Sequence, residues 1–90
     1  MGLEKILSQD AHLKIIKFFN ENPRSIDTIT GISGWVGLTK EVTKKALKNL
    51  VKHAILIEHK TNTTKAYSYT QDKKILLKIK KWLKTSASVQ

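Results

Sequence analysis

Lysines at positions 40, 44, 45, 48 and 52, with Glu41 among them, return at three- and four-residue intervals, so on a helix they share one side. Ammonium groups arranged in this way do no covalent chemistry. They neutralise phosphates, and each neutralised phosphate releases condensed counterions. Residues suited to other chemistry are missing or scattered. The chain has no cysteine, which removes thiolate nucleophiles, disulfides and Cys-ligated zinc or iron–sulfur centres together. The only soft ligands are His12, His53 and His59; their spacing matches no metal motif, and they read as surface or helix-end residues. The few acidic residues lie among lysines with no nucleophile elbow and no carboxylate pair. Gly31, Gly34 and Gly37 follow no strand and match no phosphate loop. No catalysis, metal, cofactor or small-molecule ligand is expected.

The whole composition agrees with an electrostatic role. Seventeen Lys+Arg stand against 7 Asp+Glu in 90 residues, a net charge of +10. A polyanion is the natural partner. All the basic residues except Arg24 are lysine, and lysine is a point charge on phosphate, whereas bidentate reading of guanine favours arginine. Backbone binding is thus expected more than sharp base readout. With 40% hydrophobic and 27% charged residues and one proline, the chain reads as a single folded domain over 1–90, its core at about 10–84 and a frayed tail at 85–90. The first seven residues are too short for a signal peptide and no apolar run could span a bilayer, so a soluble, cytoplasmic protein is expected, with no membrane.

Several elements must position these lysines. Ala11, Ile15, Phe18 and Phe19 predict a helix over 8–22, capped by Ser8 or Asp10 and ended by Asn22-Pro23. Leu3, Ile6 and Leu7 read as a short amphipathic turn before it, fit either to pack on the domain or to extend the helix backwards. A second helix starts at Ser25 or Thr28 and runs to Val36 with Ile29, Ile32 and Val36 on one side, although Gly31 and Gly34 weaken it. In the turn that follows, Gly37 takes a positive φ, Leu38 is an apolar plug and Thr39 caps a third helix over 40–53. That helix packs through Thr43, Ala46, Leu47, Leu50 and Ala54, opposite its lysines. The period then changes to two, with strands over 55–60 and 65–70 around a polar turn at 61–64, and Tyr67 and Tyr69 on one side of the second strand. Thr70 caps a last helix over 71–84 that carries Ile75, Leu76, Ile79, Trp82 and Leu83 among six lysines.

Three helices, a hairpin and a closing helix make an α+β chain that resembles the winged helix-turn-helix family, in particular small archaeal and bacterial regulators of the MarR and ArsR kinds. The resemblance spans about 10–84 and is carried best by 36–56, the Gly-Leu turn, the Thr cap, the lysine-bearing helix and its exit into a strand. Ala54 departs from it, since the family commonly has glycine there. The resemblance implies a DNA-binding protein and transcriptional regulator. Thr39, Lys40, Glu41, Lys44, Lys45 and Lys48 would meet the major groove of double-stranded DNA, and a wing bearing Lys60, Asn62, Thr63, Thr64 and Lys65 would reach adjacent phosphates or the minor groove. Glu41 fits two roles, accepting from a cytosine amino group or pairing with Lys44 or Lys45; the second is the commoner arrangement on a helix. The resemblance also implies a homodimer through Leu3, Ile6, Leu7, Leu76, Ile79, Trp82 and Leu83. A protein–protein interaction module without direct DNA binding is the alternative, because winged helices serve there too. The basic last helix would also suit an anionic membrane surface.

Overall fold

The computed structural model describes residues 10–89, with side chains to residue 83. The order of elements is α1 (Asp10–Glu21), β1 (Ile26–Thr28), α2 (Ile29–Val36), α3 (Lys40–Lys52), β2 (Leu56–Lys60), β3 (Lys65–Tyr69) and α4 (Lys73–Val89). Leu3, Ile6, Leu7 and the Ser8 cap lie outside the described residues. Asp10 stands in the first turn of α1, where its carboxylate is 3.6 Å from Lys14 Nζ. Among the described residues, no helix is long and apolar enough to cross a membrane.

Strand β1 lies where the sequence reading places the run-in to the second helix. It pairs antiparallel with β3, Ile26 opposite Ser68 and Thr28 opposite Ala66, so the sheet has the order β1-β3-β2. Thr28 then serves twice: it closes the strand in extended geometry and its hydroxyl accepts from Gly31 N at 3.2 Å as the cap of α2. Asp27 Oδ1 accepts from Thr28 N at 2.8 Å beside this helix start. A Cβ on residue 31 would overlap that carboxylate, which is why Gly31 is accommodated inside α2. Nothing in the structure explains Gly34.

The core lies between α1, α2, α3, the sheet and α4. Ile15, Ile16, Phe19, Ile32, Ala46, Leu47, Leu50, Ile55, Leu56, Tyr67, Tyr69 and Ile79 form its buried cluster. A chain of rings runs out of it. Tyr69 stacks on Phe19 at 6.1 Å, Phe19 meets Phe18 edge-on at 5.0 Å, and Phe18 stacks on Trp35 at 6.0 Å. Trp35, at the far end, is 71% exposed.

Both ends of the segment that carries the lysines turn through left-handed residues. Gly37, at φ 70°, ends α2, with Gly37 N and Leu38 N both donating to Ser33 O. At the end of α3, Ile55 N donates to Leu50 O and Ala54 N to Val51 O, the paired bonds of a Schellman motif. The left-handed position is Ala54, at φ 61°. Ala54 is therefore exposed and outside the packing stripe in which its spacing placed it. A Cβ in this conformation costs about 1–2 kcal/mol. Ala54→Gly removes that cost and gives some of it back to the freer unfolded chain, so a gain of about 0.5–1 kcal/mol is expected in urea denaturation. A variant no more stable than the parent would contradict it.

Helix α4 starts at Lys73, two residues later than its pattern suggests, because Asp72 and not Thr70 caps it: Asp72 Oδ1 accepts from Lys74 N at 2.9 Å. Thr70 is buried and its hydroxyl accepts from Asp72 N at 3.1 Å, which shapes the approach. The helix runs on to Val89 through a stretch with no glycine or proline to stop it.

Candidate nucleic-acid interface

Thr39 opens the candidate surface. Its hydroxyl accepts from Val42 N at 3.2 Å and starts α3 directly after the Gly37 turn. Thr43, Ala46, Leu47 and Leu50 are the buried residues of α3. Opposite them Glu41, Lys45, Lys48 and Lys52 form an exposed row at helical spacing, flanked by Lys40 and Lys44. One side of the helix is thus fixed in the core and the other, after Glu41 in the first turn, is cationic to Lys52.

Glu41 does not approach Lys44 or Lys45 within 4.0 Å, so the helical pair expected from the spacing is not formed. Exposed pairs of this kind gain a few tenths of a kcal/mol against the entropy of two long side chains. Val42, 44% exposed, belongs to the same surface and was not singled out from the sequence, and Lys52, read there as part of the lysine row, was left out of the groove-facing set. The helical repeat alone would have included Lys52.

The wing is built by Thr61. Its hydroxyl donates to Thr64 O at 3.1 Å and accepts from Thr64 N at 3.0 Å, and its backbone N donates to the same carbonyl at 2.8 Å. Asn62, Thr63 and Thr64 are exposed on the tip. Lys60 and Lys65 face each other across the strands where the turn begins. Two like charges directly opposite one another are unfavourable in an isolated sheet. Below them Tyr67 Oη donates to Glu58 Oε2 at 3.2 Å; burial first, then that bond and the carboxylate's charge, push the Tyr67 hydroxyl's pKa up.

The histidines do not form one site. His59 Nε2 lies 2.7 Å from Ser68 Oγ on the open side of the sheet, and His53 Nδ1 donates to Asn49 O at 2.9 Å at the end of α3. Among the described residues no cluster of three or more His, Cys, Asp or Glu is placed to hold a metal. His12 is buried and not at the surface, packed where α1 meets α3, because its apolar ring body fills the i−3 position before Ile15. Its Nε2 is 3.5 Å from Asn49 Nδ2, and its Nδ1 has no partner among the described residues. Burial, and secondly the nearby His53, lower the pKa of His12 below the ordinary 6.5. The folded chain therefore binds fewer protons than the unfolded one in that window. Stability is fully present above the unfolded value and declines as pH falls towards the folded value. His12→Leu is expected to flatten the difference in urea midpoint between about pH 7.5 and about pH 5.5; a midpoint in the parent that rises on acidification would refute this.

Of the residues expected to form a dimer seam, Leu3, Ile6 and Leu7 lie outside the described residues. Ile79 is fully buried in the chain's own core and has no surface to give a partner. Leu76, Trp82 and Leu83 pack half-buried against that core, and Leu77, which carried no expectation, is 66% exposed.

No family model and no curated protein matches the chain. Solved structures do. A possible transcriptional regulator from Methanosarcina mazei Go1 superposes with a TM-score of 0.72 at 18% identity, covering 98% of this chain and 82% of that one. AntR, an antimony-specific transcriptional repressor, superposes at 0.71 with 19% identity over 98% of this chain and 78% of its own. The Zα domain of PKZ from Carassius auratus, solved in complex with Z-DNA, superposes at 0.59 with 18% identity over 67% of this chain and 92% of its own. At these identities the likeness is one of fold: the chain has the winged-helix architecture, α+β with a three-stranded antiparallel sheet.

Proposed function

Starting from a winged-helix fold whose helix-turn-helix presents a lysine row, we propose that this chain is a DNA-binding protein of the transcription-regulator class and not an enzyme. Helix α3 enters the major groove with Lys40, Glu41, Lys44, Lys45 and Lys48, and Thr39 approaches a phosphate at its start. Lys52 extends the same row, and Val42 offers an apolar contact to a thymine methyl. Wing residues Lys60, Asn62, Thr63, Thr64 and Lys65 lie on the adjacent backbone or minor groove. Double-stranded DNA is the partner, in the cytoplasm. In a two-fold homodimer the contribution of α4 to the seam falls to Leu76, Trp82 and Leu83, with Ile79 withdrawn.

The observation that carries this reading is a coincidence: the exposed cationic row occupies the one helix whose position after a tight turn suits a groove. The opposed Lys60 and Lys65 add to it, since a phosphate between or beside them relieves a repulsion that the sheet otherwise bears. Solved neighbours described as transcriptional regulators, and one bound to Z-DNA, lend support by fold. An exposed Trp35 stacked on Phe18 favours the second reading, a protein-interaction module, because aromatic anchors dominate such contacts.

Salt separates the two. Binding of a labelled mixed-sequence duplex, followed by anisotropy, should weaken linearly in log K against log salt with a slope of about −0.9 per phosphate contacted. Lys60→Thr/Lys65→Thr should reduce that slope by up to about two while raising the stability of the free protein by a few tenths of a kcal/mol. A parent that binds no duplex even at low salt would sink the DNA reading and favour the interaction module.

A further inference from the structure

The outer side of α4 has no part in groove reading. Its apolar residues Ile75, Leu76, Ile79, Trp82 and Leu83 fall on one side of the helix, with Ile79 sealed and the others half-buried against the core. At 3.6 residues per turn, Lys73, Lys74, Lys78 and Lys80 fall on the other side. All four are exposed, and the exposed Leu77 sits among them. Helix α4 contains six lysines and no acidic residue, so it offers its own cations no carboxylate. Like charges at i,i+4, as at Lys74 and Lys78, destabilise a helix unless an anion lies over them.

Three kinds of surface could supply that anion or cover that side. Self-association would set the lysines of one copy against those of another. An anionic membrane holds an interfacial helix through its apolar side, and α4 has already committed that side to the core, leaving Leu77 alone. A nucleic-acid backbone needs only cations spaced along a rod in water, and Lys73, Lys74, Lys78 and Lys80 of α4, at about 1.5 Å per residue, are spread over about 10 Å of helix. Leu47 and Leu50 of α3 and Ile79 of α4 belong to one buried cluster, yet the two helices do not form a packed pair. Their lysine rows therefore stand on two separate elements that share one core.

We propose that Lys73, Lys74, Lys78 and Lys80 form a second duplex-binding surface, so that a molecule seated on DNA through α3 holds another duplex through α4. The bridge rests on the groove-reading proposal, and the test keeps the two apart. A biotinylated duplex on streptavidin beads is saturated with protein at low salt, and capture of a second, fluorescent duplex is measured. Anisotropy on a single duplex and sedimentation mass are recorded for the same samples.

The parent should capture the second duplex. Lys74→Glu/Lys78→Glu should keep the mass of the parent and its single-duplex affinity within about threefold, and lose at least about tenfold in capture. A parent that saturates the first duplex but captures nothing overturns the bridge and leaves groove reading intact; a parent that binds no duplex overturns both. Capture that survives in the variant, or is lost together with a dimeric mass, overturns the assignment to α4. So does a variant that loses only flotation with phosphatidylserine vesicles, which would place this side of α4 on a membrane.

Discussion

Exchanging Lys44 and Lys48 for glutamate should cost at least about a hundredfold in duplex affinity at about 0.05 M salt. With about 0.9 counterions released per phosphate contact, each contact is worth roughly one decade at that salt, and two are removed before the added repulsion is counted. The slope of log K against log salt should fall by about two. Both side chains are exposed on α3, opposite Thr43, Ala46, Leu47 and Leu50, so folding is unaffected. Lys14→Glu/Lys17→Glu makes the same change in net charge on exposed positions of α1 and serves as the control. If the control loses as much as the α3 variant, affinity follows total charge and α3 has no privileged place on the duplex. If the α3 variant stays within about threefold of the parent, the groove-reading model fails.

Much of this surface is legible in the sequence, for a specific reason. In α3 the apolar and cationic rows each follow the helical period through the whole element, and a Gly turn and Thr cap precede them, so pattern, cap and turn agree. The wing was legible because the period changes to two on both sides of a polar turn. Strand β1 was not, because three residues are too few to show alternation, and Ile26–Thr28 are extended only because β3 offers them an edge. Ala54 misleads for a related reason. Its spacing continues the apolar stripe of α3, but the helix has already turned left-handed to feed Ile55 into the core. The last helix shows the limit of amphipathic reading: which apolar residues are covered by the chain itself, as Ile79 is, depends on what packs over them. His12 differs: its spacing with Ile15, Ile16 and Phe19 sets it on the core side, and only its polar type made it read as a surface residue.

Phe19→Ala should destabilise the fold by about 3–5 kcal/mol, a large fraction of the roughly 5–15 kcal/mol stability of an ordinary domain. Phe19 is fully buried and stands between Tyr69 and Phe18, so it joins the central strand to α1 and, through Phe18, to Trp35 on α2. Tyr69 makes the loss worse. Burial pushes its pKa up to about 12, and its hydroxyl has no partner among the described residues, so a hole beside it leaves a desolvated polar group with less packing around it. Phe19→Leu keeps most of the volume and should cost no more than about 1.5 kcal/mol; Trp35→Ala, at the exposed end of the same chain of rings, should cost less still. Urea midpoints would order the three. The DNA measurement then distinguishes this change from the lysine exchange: Phe19→Ala acts by depleting the folded population, so saturating duplex draws the chain back to the folded state and recovers stability by mass action. Lys44→Glu/Lys48→Glu leaves the population folded and removes the contacts, so no excess of duplex restores the parent's affinity. A Phe19→Ala protein as stable as the Leu variant would mean that the ring is replaceable filling, and that α1 is held against the sheet by Ile15 and Ile16 instead.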